Sequence, residues 1–351
     1  RFPAPLALDA RERARLGLTP TIGRAALSAR GSLRVMLVTA TATEAATLDV
    51  PAVARALARR HPAWHWLLIA RVSDTEVLLA VPAPGAGPVP LLRLGCGTIR
   101  PSDVETFTAL CAADGADPFV HLRWRETLGR DALTHRFYRD LEARVTCLAS
   151  DARGRADTPD RRTIALLATS RLLFLAFLEA KGWLNGDPAF LRHQMERIGH
   201  GLHHRLLHPL HFGTLNTPVA RRAPAARAFG RIPFLNGGLF TRSAVEARCP
   251  TLVLPDDGIA GIIGDLLAHY RLTAREQGAV SSDAAVDPEM LGRAFESLMG
   301  TETRRMRGAF YTPQALVARV TDQALDALSS TPTGSPHVID PACGSGAFLV
   351  Y

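Results

Sequence analysis

Apolar positions recur along the chain with two different periods. In the first 120 residues the apolar runs are short. Stretches 33–39, 64–71, 76–81 and 89–94 have strand length and are rich in Val, Leu and Ile. The Pro/Gly cluster at 82–88 punctuates the last pair. Between them, 51–60 reads as a helix, and 102–112 as another. Ser102 stands at the expected N-cap of that second helix with Glu105 three residues on, a capping-box pattern. Residues 1–30 are Arg/Ala-rich with a short helical pattern. Together these predict a small α/β domain over 1–120.

From 121 the period lengthens to that of helices. Stretches 131–150, 158–182 and 187–207 have helix length, and Pro159 and Pro188 stand at helix starts, where proline is tolerated. In the middle stretch Leu166, Leu167, Leu173, Phe174, Phe177 and Leu178 make a broad apolar surface. The longest apolar run, 164–178, is interrupted by Thr169, Ser170 and Arg171. It is too short and too broken to span a membrane and reads as a buried helix. Residues 213–250 are loop-rich, 256–270, 288–299 and 313–328 read as helices, and 278–287 as a mobile connector. A linker at 329–336 leads to a buried strand at 337–340 and a tight turn at 341–346. The organisation predicted is an α/β domain (1–120), a helical connector (121–287) and a third domain opening at 288. No internal repeat is present.

Composition narrows the class. The chain has 351 residues, 47% of them apolar, which excludes wholesale disorder. Lys+Arg number 41 against 33 Asp+Glu, a net charge of +8 and a pI near 9.9. Nearly all the basic residues are arginines, Lys181 being the sole lysine. That excess favours approach to a polyanion. The five cysteines, Cys96, Cys111, Cys147, Cys249 and Cys343, are scattered and form no CxxC. Neither a disulfide framework nor a cysteine zinc site is indicated, and a reducing cytoplasm fits best. No apolar signal core lies in residues 1–30. The chain begins with Arg1 and stops at Tyr351, one turn into a new helix, and is expected to be a piece of a longer protein.

The most informative stretch is 338–350. An apolar strand ends at Asp340, and Gly344-Ser345-Gly346 then opens an apolar helix. Close glycines admit a ligand to the backbone, and the helix N-terminus presents unpaired N–H groups. An ordinary strand-to-helix turn has the same pattern. The spacing departs from the dinucleotide fingerprint, because Leu349 stands where the third glycine belongs. An acid at the strand end suits a cationic or hydroxyl-bearing ligand.

Asp340-Pro341-Ala342-Cys343-Gly344-Ser345-Gly346-Ala347-Phe348-Leu349 resembles motif I, the S-adenosylmethionine loop of DNA adenine-N6 methyltransferases. Upstream, Gly308-Ala309-Phe310-Tyr311-Thr312-Pro313 resembles their motif X, in the expected order. Ile232-Pro233-Phe234-Leu235-Asn236-Gly237-Gly238-Leu239-Phe240 is similar to a segment of type IIG restriction–modification enzymes. So are Arg171-Leu172-Leu173-Phe174-Leu175, Lys181-Gly182-Trp183-Leu184 and Leu133-Thr134-His135-Arg136-Phe137-Tyr138. The resemblance covers about 125–351. It implies that the third domain is the start of a Rossmann-like methyltransferase fold. It also implies that S-adenosylmethionine is met by Tyr311, Thr312, Pro313, Asp340, Ala342, Gly344 and Gly346. The reaction implied is methyl transfer to the exocyclic amine of a flipped adenine in double-stranded DNA. The Asn/Asp/Ser-Pro-Pro-Tyr/Phe tetrapeptide that holds the base in that family does not occur in these residues, so no catalytic residue is assigned.

Other chemistry is weaker. Glu179-Ala180-Lys181 spells a nuclease-like ExK, but at the end of an apolar helix. Residues 1–120 would then be a degenerate nuclease-like domain, whose Asp74 and Glu76 read as a turn acid and a solvent-facing acid. His200, His203, His204, His208 and His211 form a cluster, of which His200, His204 and His208 share a face if the helix runs that far, and histidines paired at that spacing can bind zinc. Without an HExxH pattern, enrichment on a polar helix is the favoured reading, and no metal site is assigned. Arg304, Arg305 and Arg307 are candidate phosphate contacts, as are Arg221, Arg222 and Arg227. The expected function is the N-terminal part of an adenine-N6 DNA methyltransferase of a restriction–modification or phage-defence system, inactive by itself and cytoplasmic, with no membrane partner. One alternative is a non-catalytic helical DNA-binding or assembly module of a defence complex. Another is a different enzyme whose Rossmann-like loop binds a nucleotide.

Overall fold

The computed structural model describes residues 2–16, 18, 24–40, 48–85, 88–235, 238–273, 281–283, 285, 286, 290, 312, 314–328, 339–341 and 348. They fall into two compact units, 1–287 and 288–351.

The first unit is built on a seven-stranded sheet whose strands lie side by side in chain order. They are β1 (Leu6–Ala7), β2 (Arg24–Arg30), β3 (Leu33–Thr39), β4 (His65–Ser73), β5 (Glu76–Ala80), β6 (Val89–Gly95) and β7 (Ser281–Asp283). Helix α1 (Ala10–Leu16) follows β1. Helix α2 (Val50–Arg60) carries the chain from β3 to the parallel β4, as a parallel pair requires. β4, β5 and β6 form an antiparallel meander. The β2–β3 hairpin turns at Gly31, with φ +55°, and a Cβ there would stand 2.2 Å from the Asp117 carboxylate. That carboxylate accepts the Ser32 N–H at 2.6 Å.

Period-two alternation explains why both sheet faces are covered. Met36, Val38, Trp66, Leu68, Leu78 and Leu91 face one core, closed by Ala54 and Leu57 of α2. Leu33, Leu67, Leu79 and Leu92 face the other. That side is closed by Leu110 of α3 (Pro101–Cys111) and by Val120, Trp124 and Leu128 of α4 (Asp117–Leu128). α4 straddles residue 120, where the sequence reading ends the first domain, and it packs directly on the sheet.

The helical layer continues with α5 (Arg130–Ser150), α6 (Thr158–Ala180) and α7 (Phe190–Ile198). α6 is long and apolar enough to cross a membrane by length and composition, but 67% of its most apolar window is buried inside the protein. It is the buried helix read from the sequence. Buried Asp103 of α3 pairs with Arg271 at 2.5 Å and ties the end of the helical layer to the sheet's helices.

Several expectations are corrected. Residues 1–30 hold two strands besides the short helix, their pattern obscured by Ala and Arg. Ser102 is not a cap: it is buried in the first turn, and the Arg100 N–H is capped by the Asp103 carboxylate at 2.8 Å. The helix expected over 187–207 ends at Gly199, whose φ of +74° an L side chain resists. Beyond it the chain winds as two π-helical segments, His203–Leu207 and Pro209–Leu215. Pro209 lacks the N–H that an α-ladder needs there. The stretch 256–270 likewise divides into α8 (Asp256–Ala260) and a π segment, Gly261–Leu267. Within the expected connector 278–287, Ser281–Asp283 is a strand paired in parallel with β6.

The second unit contains α9 (Gln314–Leu328), matching the helix predicted from 313. Ile339 and Asp340 are not in a strand, and Ile339 is 85% exposed. Among the described residues no ladder partner lies beside them, and a strand without partners has no favourable register to adopt. The helix predicted at 288–299 lies outside the described residues, save for Met290.

Candidate functional site

The residues of the predicted cofactor loop are described only in part. Thr312 is half-buried just before α9, and Asp340 is half-buried at the entry to the turn at Pro341. Phe348 is helical and half-buried, in keeping with a helix opening after the glycines. Tyr311, Pro313, Ala342, Gly344 and Gly346 lie outside the described residues, as do Arg304, Arg305 and Arg307.

The helical layer brings together segments that the sequence reading quoted separately. Arg171, in the middle of α6, is 2% exposed. Its Nε donates to the Leu239 carbonyl at 2.7 Å, and one Nη donates to the Thr241 carbonyl at 3.0 Å. Its two Nη atoms grip the Glu246 carboxylate at 2.5 and 3.0 Å. Phe174 meets Phe240 edge-on, with ring centroids 5.8 Å apart. The 171–175 and 232–240 segments are therefore two halves of one packed joint. The 181–184 segment adjoins the same region, since Asn185 and Arg231 exchange hydrogen bonds at 3.0 Å. Phe137 of the 133–138 segment stacks edge-on against Tyr270 at 5.3 Å. Arg171 carries a charge that Glu246 returns, and burial makes that pairing obligatory. The guanidinium and the Ser243 N–H hold the Glu246 carboxyl below its usual range, against the desolvation that would raise it.

Beside this joint lies a group of histidines. His203, His204 and His208 come together with ring centroids 4.5 to 5.1 Å apart. The π-type bond from the His208 N–H to the His203 carbonyl brings the two residues one above the other. His200 is not part of the group: its ring is bonded by Arg205 at 3.1 Å. The face of His200, His204 and His208 expected for an α-helix is replaced by His203, His204 and His208, because the helical period changes at Gly199 and Gly201. Burial, with the neighbouring imidazoles, lowers His203 to about 3 and lowers His208 as well. Buried His211 is held well below its ordinary value by burial and by Arg171. It packs on Phe240 at 5.6 Å. A small open pocket of about 30 Å³ lies next to His203 and His208, lined also by Phe212, Arg242, Glu246 and Cys249.

Glu179 ends α6 rather than lying on a strand. It accepts the Leu191 N–H at 2.8 Å, and burial raises its carboxyl to about 7. Lys181, beyond the helix end, is exposed. The ExK spelling is thus a helix terminus and not a nuclease constellation. Asp74 pairs with Arg71 at 2.6 Å in the β4–β5 turn, and Glu76 pairs across the sheet with Arg93. Of the second basic stretch, Arg222 is buried and donates to the carbonyls of Thr217 at 3.1 Å and Ile232 at 2.9 Å. It is a structural group, which corrects the phosphate-contact reading. Arg221 and Arg227 are exposed.

Comparison with known proteins places the C-terminal stretch. Residues 286–351 match the N-6 DNA Methylase family. The resemblance to adenine-N6 methyltransferases of restriction–modification systems is borne out by this match together with the relative that follows. Over 176 residues the chain is 27% identical to a protein of Methanocaldococcus jannaschii, provisionally named a type II restriction enzyme and methyltransferase. The match covers 48% of this chain and spans only 15% of that relative's length. No solved structure matches the chain. The methylase match contains α9, Thr312, Asp340 and Phe348, so the described part of the cofactor segment falls wholly inside it.

What sequence reasoning missed in unit 1–287 is the joint around Arg171 and the convergence of the three histidines. One signal was available for the first: an arginine inside the longest apolar run must be paired. For the second, the run of five histidines over 200–211 was a signal, but which three of them converge depends on a π-helical winding.

Proposed function

We propose that this chain is the N-terminal part of an adenine-N6 DNA methyltransferase of a restriction–modification or phage-defence system. It would act in the cytoplasm on double-stranded DNA with S-adenosylmethionine. The observation that carries the reading is the methylase match over 286–351, with motifs X and I in order inside it.

The described residues fit the cofactor. Half-buried Asp340, at the turn of Pro341, suits the cationic methionine end, and half-buried Thr312, just before α9, suits a polar contact. Asp340 and Thr312 would hold the cofactor, with Tyr311, Pro313, Ala342, Gly344 and Gly346 completing the cradle. The cofactor, when bound, supplies the methyl group as an electrophilic sulfonium. Asp340 orients the methionine end, and the glycines leave room for backbone approach. Arg304, Arg305 and Arg307 would contact phosphates and position DNA without reading sequence. The group that holds the flipped adenine is absent from these residues. The alternative of a non-catalytic helical assembly module draws on the joint of Arg171, whose donors serve the fold.

Equilibrium dialysis of the 351-residue chain against labelled S-adenosylmethionine tests the reading. Saturable binding that Asp340→Ala weakens by at least about tenfold supports it, a factor of ten corresponding to ~1.4 kcal/mol. Absence of saturable binding, or binding indifferent to Asp340→Ala, removes the cofactor site from this chain.

A further inference from the structure

The histidine group in the helical layer serves no part of the methyltransferase reading. It lies in unit 1–287, outside the methylase match. We propose that His203, His204 and His208 form a binding site for one divalent transition-metal ion of the zinc class.

Geometry is the first argument. One ring nitrogen from each residue lies within 4.8 Å of the others. A tetrahedral ion with Zn–N bonds of about 2.0–2.1 Å needs those nitrogens roughly 3.4 Å apart. Modest rotation of the imidazoles about their side-chain bonds closes the difference. The backbone is already wound for it: the five-residue ring closed by the His208 N–H and the His203 carbonyl stacks two of the three residues. Such single-turn π segments are uncommon and recur at functional sites.

The chemistry of the donors is the second argument. His203 and His208, like His204, each bring an imidazole nitrogen to the cluster, the donor type that zinc-class ions take. The groups facing them are His204, Arg171, Arg242, Glu246 and Asp256. Glu246 is engaged by Arg171, and Asp256 accepts the N–H groups of Gly201 and Leu202 at 2.7 Å. Neither carboxylate is therefore left to neutralise a histidine cluster by itself. Among the described residues, the rings of His204 and His208 make no hydrogen bond with another described residue. Three imidazoles and no free carboxylate select zinc, copper or nickel over calcium or magnesium, which take oxygen ligands.

His203 sets the order of events. Its Nδ1 accepts the Leu254 N–H at 3.0 Å, so the neutral ring keeps its proton on Nε2. An ion bound through Nε2 moves the ring proton to Nδ1, and one bound through Nδ1 takes its lone pair, so in both cases the Leu254 hydrogen bond is lost. Either way His203 gives something up, so His204 and His208, at the i,i+4 spacing, anchor the ion and His203 completes the set. Exposed His204 and the adjoining cavity leave a path for entry and an open fourth position.

The test uses the full 351-residue chain, stripped with a chelator and titrated with Co²⁺ at pH 7.5. Visible absorption reports tetrahedral nitrogen ligation, and dialysis reports stoichiometry. The expected result is one ion per chain, weakened at least about tenfold by His204→Ala and by His208→Ala. His200→Ala serves as the control and leaves binding unchanged. His204 is exposed, so its replacement decides the matter even where His208→Ala disturbs folding. Zn²⁺ should also raise the melting temperature of the parent chain and not that of His204→Ala. Binding far below one equivalent, or binding that survives His204→Ala intact, overturns the proposal. Because no readout involves S-adenosylmethionine or DNA, the outcome is independent of the methyltransferase reading.

Discussion

At the scale of single residues, buried Arg171 and half-buried Glu179 bear on stability in opposite senses. Arg171 is fully enclosed and uses both Nη atoms and Nε on Glu246, Leu239 and Thr241. Removing it strands the Glu246 carboxylate in a desolvated site. Arg171→Met should therefore cost about 3–5 kcal/mol in urea denaturation, the usual penalty for breaking a buried pair. Arg171→Lys should recover only part of this, because an ammonium cannot reproduce the planar fork. If Arg171→Met unfolds at the same urea concentration as the parent, the joint is not what holds 171–175 to 232–240. Glu179 acts in the opposite sense. Its carboxyl is raised from 4.5 to about 7 by burial, so the folded chain prefers it protonated. Its stabilising contribution is whole below pH 4.5 and is lost as pH rises through 7. His203 and His121, lowered to about 3 and about 4 by burial, contribute stability that is whole above pH 6.5 and lost on acidification. Glu179→Gln should match the parent near pH 4.5 and exceed it at pH 8 by up to ~3 kcal/mol. A difference that stays constant across that range would mean the carboxyl does not titrate in the fold.

At the scale of elements, what was legible followed from regular periods. The strands at 33–39, 65–73, 76–80 and 89–95 alternate between two cores, and the helices α2, α5 and α6 bury broad apolar faces. Both signals survive in a single sequence because burial repeats them. β2 was missed because it gives the core only Ala25 and a partly buried Leu27, between flanking arginines, while Ala29 is exposed. β7 was missed because Ser281–Asp283 has no apolar pattern: its place is set by backbone pairing to β6. The π segments were illegible for a different reason. The sequence 203–215 has α-helical spacing, and only the glycine stop at 199 and Pro209 disturb it. The tertiary contact that fixes the altered winding comes from Asp256, more than 50 residues away, whose carboxylate meets the Gly201 and Leu202 N–H groups. The stretch 340–346 was legible as a motif, because on the proposed reading its acid and glycines serve the approach of a ligand rather than packing. The metal-type cluster had no such motif and needed the fold to assemble it.

At the scale of the whole molecule, the boundary near 287 separates two kinds of information. Unit 1–287 contains the sheet, its two cores and the helical layer. Unit 288–351 carries nearly all of the methylase match. The sheet is closed at its far end by β7, which arrives from the end of the first unit and pairs with the Val89–Leu91 edge of β6. The return is fastened by two further backbone bonds, Val286 N–H to the Arg271 carbonyl at 2.8 Å and Thr273 N–H to the Val286 carbonyl at 2.9 Å. Arg271 is itself fastened to buried Asp103. Residues 281–286 are thus part of the first unit's architecture, although they follow the helical layer in sequence. A chain ending at 287 should fold cooperatively and remain monomeric, and it should have no affinity for S-adenosylmethionine. A chain ending at 277 keeps the described helices α1–α8 but uncovers β6, and an unpaired edge is a template for association. It should lose about 2–4 kcal/mol, from several backbone hydrogen bonds worth ~1 kcal/mol each. It should also form larger species in light scattering at concentrations where the 287-residue chain does not. Equal stability and equal monodispersity of the two truncations would show that β7 is an ornament on the sheet rather than its closing strand.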